Sequence, residues 1–74
     1  MTLNECKTNK IYIIDAIDAN NENNFKKICS LGLLPGIEIA IVKTKPLIVF
    51  RLSNTLFAID KYLARHIYVK EINT

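Results

Sequence analysis

Leu31-Gly32-Leu33-Leu34-Pro35-Gly36, followed at once by Ile37-Glu38-Ile39-Ala40-Ile41, decides the fold of this chain. The six residues form a corner between a helix and a strand. Gly32 follows the last periodic apolar residue, where a chain leaving a helix often needs a left-handed conformation that glycine reaches without steric cost. Pro35 presets the dihedral of a turn's second residue, and Gly36 supplies the positive one needed next. Leu31, Gly32, Pro35 and Gly36 are therefore the structural motif.

Before the corner, Phe25, Ile28 and Cys29 recur at spacings of three and four, with Gly32 continuing the face, which predicts a helix over Glu22 to Leu31. Glu22 lies at its dipole-favoured start, and Lys26 and Lys27 face water. Upstream, Asp18 to Asn24 is a polar loop of turn and cap residues. Ile11-Tyr12-Ile13-Ile14 lies in a β-prone run from Lys10 to Ile17, the first strand. Leu3 to Lys7 is read as one helical turn packing Leu3 and Cys6 inward, and Asn9 is suited to a left-handed turn.

After the corner the period becomes two, with Ile37, Ile39 and Ile41 on one face and Glu38, Ala40 and Val42 on the other. Lys43-Thr44-Lys45-Pro46 ends this strand, since Pro46 cannot donate to a ladder. Leu47 to Leu52 and Thr55 to Ile59 are two further strands joined by Ser53-Asn54, a tight hairpin in which Asn54 is expected to take positive φ. Asp60 caps a short turn from Lys61 to His66, with Tyr62 and Leu63 expected inward, and Ile67 to Ile72 is the last strand.

Five short strands with tight connections remove exposed edges by curling up. The fold expected is mainly β: a small SH3-like five-stranded β-barrel, with one α-helix inserted after the first strand and a short helical turn before the last. An open five-stranded sheet with a helix on one face is the alternative. At 74 residues the chain is expected to be one domain over residues 1–74.

Half of the residues are hydrophobic, which argues against disorder, and no apolar run approaches the roughly 18 residues needed to span a bilayer. The N-terminus has neither a basic region followed by an apolar stretch nor a cleavage-type sequence, so a cytoplasmic location is expected. The net charge of +3 rests on eight scattered lysines and two arginines, a poor fit to a nucleic-acid face, and no nucleic-acid partner is expected. Cys6 and Cys29 are separated by 22 intervening residues without a second ligand at metal spacing, and they read as core; no metal and no cofactor are expected. One His, no nucleophile–base–acid grouping and no phosphate loop argue that the chain is not an enzyme. Asp15 and Asp18 read as loop solvation and capping, and His66 as a group suited to a helix C-terminus.

The corner, then Lys45-Pro46-Leu47, then Phe57-Ala58-Ile59 ahead of Ala64 and Ile67, resembles the FeoA family of small ferrous-iron uptake proteins over nearly the whole chain. Leu3-x-x-Cys6-Lys7 is similar to that family's opening, with Cys6 in an apolar position. Two features depart from it: Leu47 runs directly into Ile48-Val49-Phe50 where the family commonly has Gly-Asp-Pro, and Asn54 stands for a hairpin glycine. The resemblance implies a cytoplasmic accessory protein of ferrous-iron uptake. Its partner would be the GTP-binding cytoplasmic part of the FeoB transporter, with membrane association only through that partner. The surface expected to engage it comprises Leu33, Leu34, Lys43, Lys45, Pro46 and Leu47, against the competing reading of Leu33, Leu34 and Leu47 as barrel core. The alternative function is a regulatory or oligomerising SH3-like domain related to the C-terminal domain of metal-dependent transcriptional repressors, and weak self-association is left open.

Overall fold

Both glycines of the corner take the conformation that the sequence demands of them, Gly32 at φ +83° and Gly36 at φ +94°. The structure, a computed structural model, describes residues 1–72; residues 73–74 of the expected domain lie outside the described residues. After a 3-10 turn at Leu3–Glu5 come β1 (Ile11–Ile17), α1 (Glu22–Ser30), β2 (Glu38–Lys43), β3 (Ile48–Leu52), β4 (Thr55–Ile59), α2 (Lys61–Ala64) and β5 (Ile67–Glu71). The strands form one antiparallel sheet in the order β4-β3-β2-β1-β5.

Local chemistry fixes the boundaries. The Asn21 side chain accepts from the Asn24 amide at 3.0 Å and opens α1. At its end the Leu31 amide donates to Ile28 and the Gly32 amide to Cys29, closing the helix as the chain turns left-handed. Asp60 accepts from the Leu63 amide at 2.8 Å and starts α2. Asn9 turns into β1 at φ +67°, as its side chain permits.

The period-two reading of β2 holds: Ile39 and Ile41 are buried, while Glu38 and Val42 are exposed. They join Leu3, Cys6, Tyr12, Ile14, Ile28, Leu33, Ile48, Phe50, Ile59, Leu63, Ala64, Ile67 and Val69 in one core, and among the described residues no polar or charged residue is buried. Phe50 stacks on Phe57 with ring centroids 5.6 Å apart. β1 stays in register with β5 only by way of a bulge between Ile14 and Ala16, after which Ile17 pairs with Ile67.

The closed barrel is not formed. β4 and β5 are the two edges of an open sheet, and no ladder joins them among the described residues. The reason lies in what occupies the gap. The Val69 amide, on the side of β5 away from β1, donates to the Met1 carbonyl at 2.9 Å, and Thr2 bridges Tyr68, so the N-terminus takes the hydrogen bonds that closure would need. The segment between the edges is spent on α2, whose Leu63 and Ala64 fill the core. Two smaller expectations also change. Tyr62 points outward at 59% exposure, because Leu63 and Ala64 define the inward direction of a one-turn helix and the residue before them lies on its far side. Positive φ in the hairpin falls on Ser53 at +56° rather than Asn54, the first-position demand of a type II′ turn.

A Cβ at Gly36 meets nothing within 4 Å, so a substitution there is opposed by backbone conformation alone. Gly36→Ala should lower stability by about 1 kcal/mol, read as a lower urea midpoint at unchanged slope. Phe50→Ala, which opens a core cavity, should cost about 3–5 kcal/mol in the same assay.

Candidate interaction surface

Strand β2 separates the residues expected to form one binding surface. Leu33 and Leu34 precede it, Lys43 is its last residue and Lys45 to Leu47 follow it, so a six-residue strand of about 3.3 Å per residue holds the two groups roughly 20 Å apart. The structure does not gather them into one groove.

At the corner, Leu33 is completely buried and belongs to the core, as the competing reading had it. Leu34 is 48% exposed, yet its backbone is held from both sides: its amide donates to Gly32 at 3.0 Å and its carbonyl accepts from Ile37 at 3.1 Å. Its isobutyl group therefore stands on a rigid base beside exposed Pro35 and Gly36.

At the other end, Lys43, Lys45, Pro46 and Leu47 are all exposed, Leu47 at 42%, and Val42 adds a second apolar side chain to the approach. Neither Lys43 nor Lys45 pairs with a carboxylate among the described residues, whereas Lys10, Lys26 and Lys70 do, with Glu71, Glu22 and Asp15. Unpaired ammonium groups around an aliphatic centre suit a partner surface that carries carboxylates around an apolar spot. Of the two groups, this loop presents the more complete surface.

The ionisable groups elsewhere have structural work. Burial pushes the Cys6 thiol up to about 12, so it stays protonated and packs as a small apolar group; Cys29 is half-buried. Among the described residues no three His, Cys, Asp or Glu side chains are placed to hold a metal ion, and no helix is long and apolar enough to cross a membrane. Asp18 and His66, 48 positions apart, tie the end of β1 to the start of β5: His66 Nδ1 lies 3.2 Å from Asp18 Oδ2, and the Asp18 amide donates to the His66 carbonyl at 2.8 Å. Sequence reading placed each at a polar end but could not pair them, since no spacing rule connects them.

The family model for the FeoA domain matches residues 1–71. No curated protein matches the sequence at a significant level. Among solved structures, a crystal structure of the iron uptake regulatory protein FeoA superposes with a TM-score of 0.88 at 28% identity, covering 97% of this chain and 96% of that one. FeoA of Stenotrophomonas maltophilia in complex with zinc, described as a prokaryotic SH3 domain protein and a candidate activating factor of ferrous iron transport, gives 0.80 at 21% identity, covering 95% and 89%. A manganese-dependent transcriptional repressor gives 0.87 at 12% identity, covering 97% of this chain but 41% of that one. The architecture is thus SH3-like, with the sheet left open.

The Asn20 amide, and after it the His66 ring, hold the Asp18 carboxyl below its ordinary value of 3.8. A carboxyl that ionises more readily when folded stabilises the protein fully above its unfolded pKa, and that contribution is lost as pH falls below about 4. Asp18→Asn should therefore flatten part of the acid limb of the stability curve, measured as urea midpoints at about pH 7 and pH 3.5. Wild type and variant losing stability in parallel would contradict this tie.

Proposed function

The chain belongs to the FeoA family, and from that premise we propose that it is a cytoplasmic accessory protein of ferrous-iron uptake: a non-catalytic interaction module acting on the GTP-binding part of the FeoB transporter. The observation that carries this reading is the family match over residues 1–71. The surface chemistry supports it. The exposed Val42 and Leu47 flank Lys43 and Lys45, two lysines without carboxylate partners among the described residues, a composition suited to docking against another protein.

The docking face is the end of β2 and the β2–β3 loop, with Lys43, Lys45, Pro46 and Leu47. Leu47 supplies the desolvated anchor, and the lysines supply long-range attraction and orientation. Pro46 stiffens the loop, so that less conformational entropy is lost on binding. Leu34, at the other end of β2, is outside this face. The likeness to the manganese-dependent repressor, at 12% identity, speaks to the fold and does not favour a regulatory role.

An NMR titration of labelled protein with the isolated GTP-binding domain of the cognate transporter tests the proposal. Shifts concentrated at residues 42–47 are expected, with Leu47→Asp weakening binding by about tenfold or more and leaving the spectrum folded. Lys45→Glu should slow association and reduce its salt dependence. Shifts confined to Leu34 and its neighbours would move the face to the corner. No shifts at high partner concentration would reject the partner.

A further inference from the structure

The two edges of the open sheet are unequal. Met1 and Thr2 cover β5, whereas nothing among the described residues hydrogen-bonds to the outer side of β4. The hairpin geometry identifies which groups face out. A two-residue turn makes Leu52 and Thr55 a hydrogen-bonded pair, and alternation along the ladder makes Phe50–Phe57 and Ile48–Ile59 bonded pairs as well. Leu56 and Ala58 fall at the non-bonded positions, so their amides and carbonyls, two donors and two acceptors, point away from β3. Both residues are exposed, Leu56 at 55%.

Edge strands are ordinarily protected by charge, proline, a bulge or a covering segment. Thr55-Leu56-Phe57-Ala58-Ile59 has none of these: it is uncharged, contains no proline and pairs with β3 without a register shift. We propose that β4 is a self-association edge at which a second copy of this chain adds its own β4 antiparallel, joining two five-stranded sheets into one of ten strands. This proposal is independent of the transporter reading.

Self-complementarity identifies the occupant. When Phe57 pairs with its symmetry mate, Leu56 faces Ala58 of the other copy and Ala58 faces Leu56, so all four outward donors and acceptors of each edge are used. The same register sets a large side chain against a small one on the outer face, twice. Its flanks carry no like-charge conflict, since Asn54 comes opposite Asp60 and Ser53 opposite Lys61. Arg51, the β3 neighbour of Leu56, stands at the far end of its cross-strand row in each copy, with the two arginines in different rows. Parity excludes a one-residue slip, which would bring inward-facing groups to the edge, and slips by two lose both Leu56–Ala58 pairs, leaving one Leu56–Leu56 or one Ala58–Ala58 pair.

An interface built on one five-residue edge is smaller than those of stable dimers, so association belongs at concentrations on the order of 1 mM. Sedimentation and amide exchange of the full chain between about 0.05 and 2 mM give the test. The weight-average mass should rise toward twice the monomer, with the Leu56 and Ala58 amides slowing in step and those of β5 unchanged. Ala58→Pro removes one outward donor without touching a β3 bond, and Leu56→Lys brings two ammonium groups near the two-fold axis. Each should weaken association by about tenfold or more, and Leu56→Lys guards against misfolding of the proline variant. A constant monomer mass to the highest concentration overturns the proposal. So does a dimer that both variants retain, or protection of Leu56 and Ala58 that appears only when a different protein is added.

Discussion

Ile14 and the corner exchange two backbone hydrogen bonds, from the Ile14 amide to Ile37 at 2.9 Å and from the Gly36 amide to Ile14 at 2.8 Å. The rest of the sheet depends on this clamp. It is available only because Gly36, at φ +94°, can turn the chain back against β1 directly before β2 begins. Gly32, at +83°, ends α1 soon enough for Leu33 to drop into the core. With two left-handed residues four positions apart, the chain leaves a helix, buries one leucine and enters a strand in register with the one before the helix. A side chain with a Cβ at either glycine would strain that path.

From this clamp the sheet grows outward on both sides. β2 carries Ile39 and Ile41 into the core and pairs through Ala40 and Ile41 with Arg51 and Phe50 of β3. β1 carries Tyr12 and Ile14 inward and pairs with β5. The Asn9 amide donates to the Ile41 carbonyl at 2.8 Å, fixing the other end of β2 against the turn that precedes β1. β2 is thus anchored at both ends, and for that reason the β2–β3 loop that follows it stands on a stiff base. The surface proposed for partner binding inherits its rigidity from backbone pairing and its specificity from Leu47, Lys43 and Lys45.

Much of this was legible in the sequence because it is local. The order of helix and strands, the capping by Asp60, the left-handed Asn9, Gly32 and Gly36, and the burial of Leu3, Cys6 and Leu63 all follow from a few adjacent residues. What was not legible depends on distance. Closure of the sheet is prevented by Met1 and Thr2 lying on β5, a contact between opposite ends of the chain that no periodicity announces. The pairing of Asp18 with His66 and the separation of Leu34 from Lys45 are equally global. A motif can gather residues in a sequence reading that a strand then holds apart. Tyr62 shows a finer limit: in a four-residue helix the apolar pattern is too short to establish which side faces in, and the neighbours Leu63 and Ala64 decide it.

Native-state hydrogen exchange at the clamp tests the central claim most directly. If the corner is the constraint on which the sheet depends, the amides of Ile14 and Gly36 exchange only with global unfolding, at the same free energy as those of Ala40 in β2 and Arg51 in β3, which pair with each other, and with the same denaturant dependence. Exchange of Ile14 and Gly36 through a local opening, at a free energy well below that of the β2–β3 pairs, would contradict the account. The fold would then stand on the β2–β3–β4 meander, and the corner would be a consequence of it.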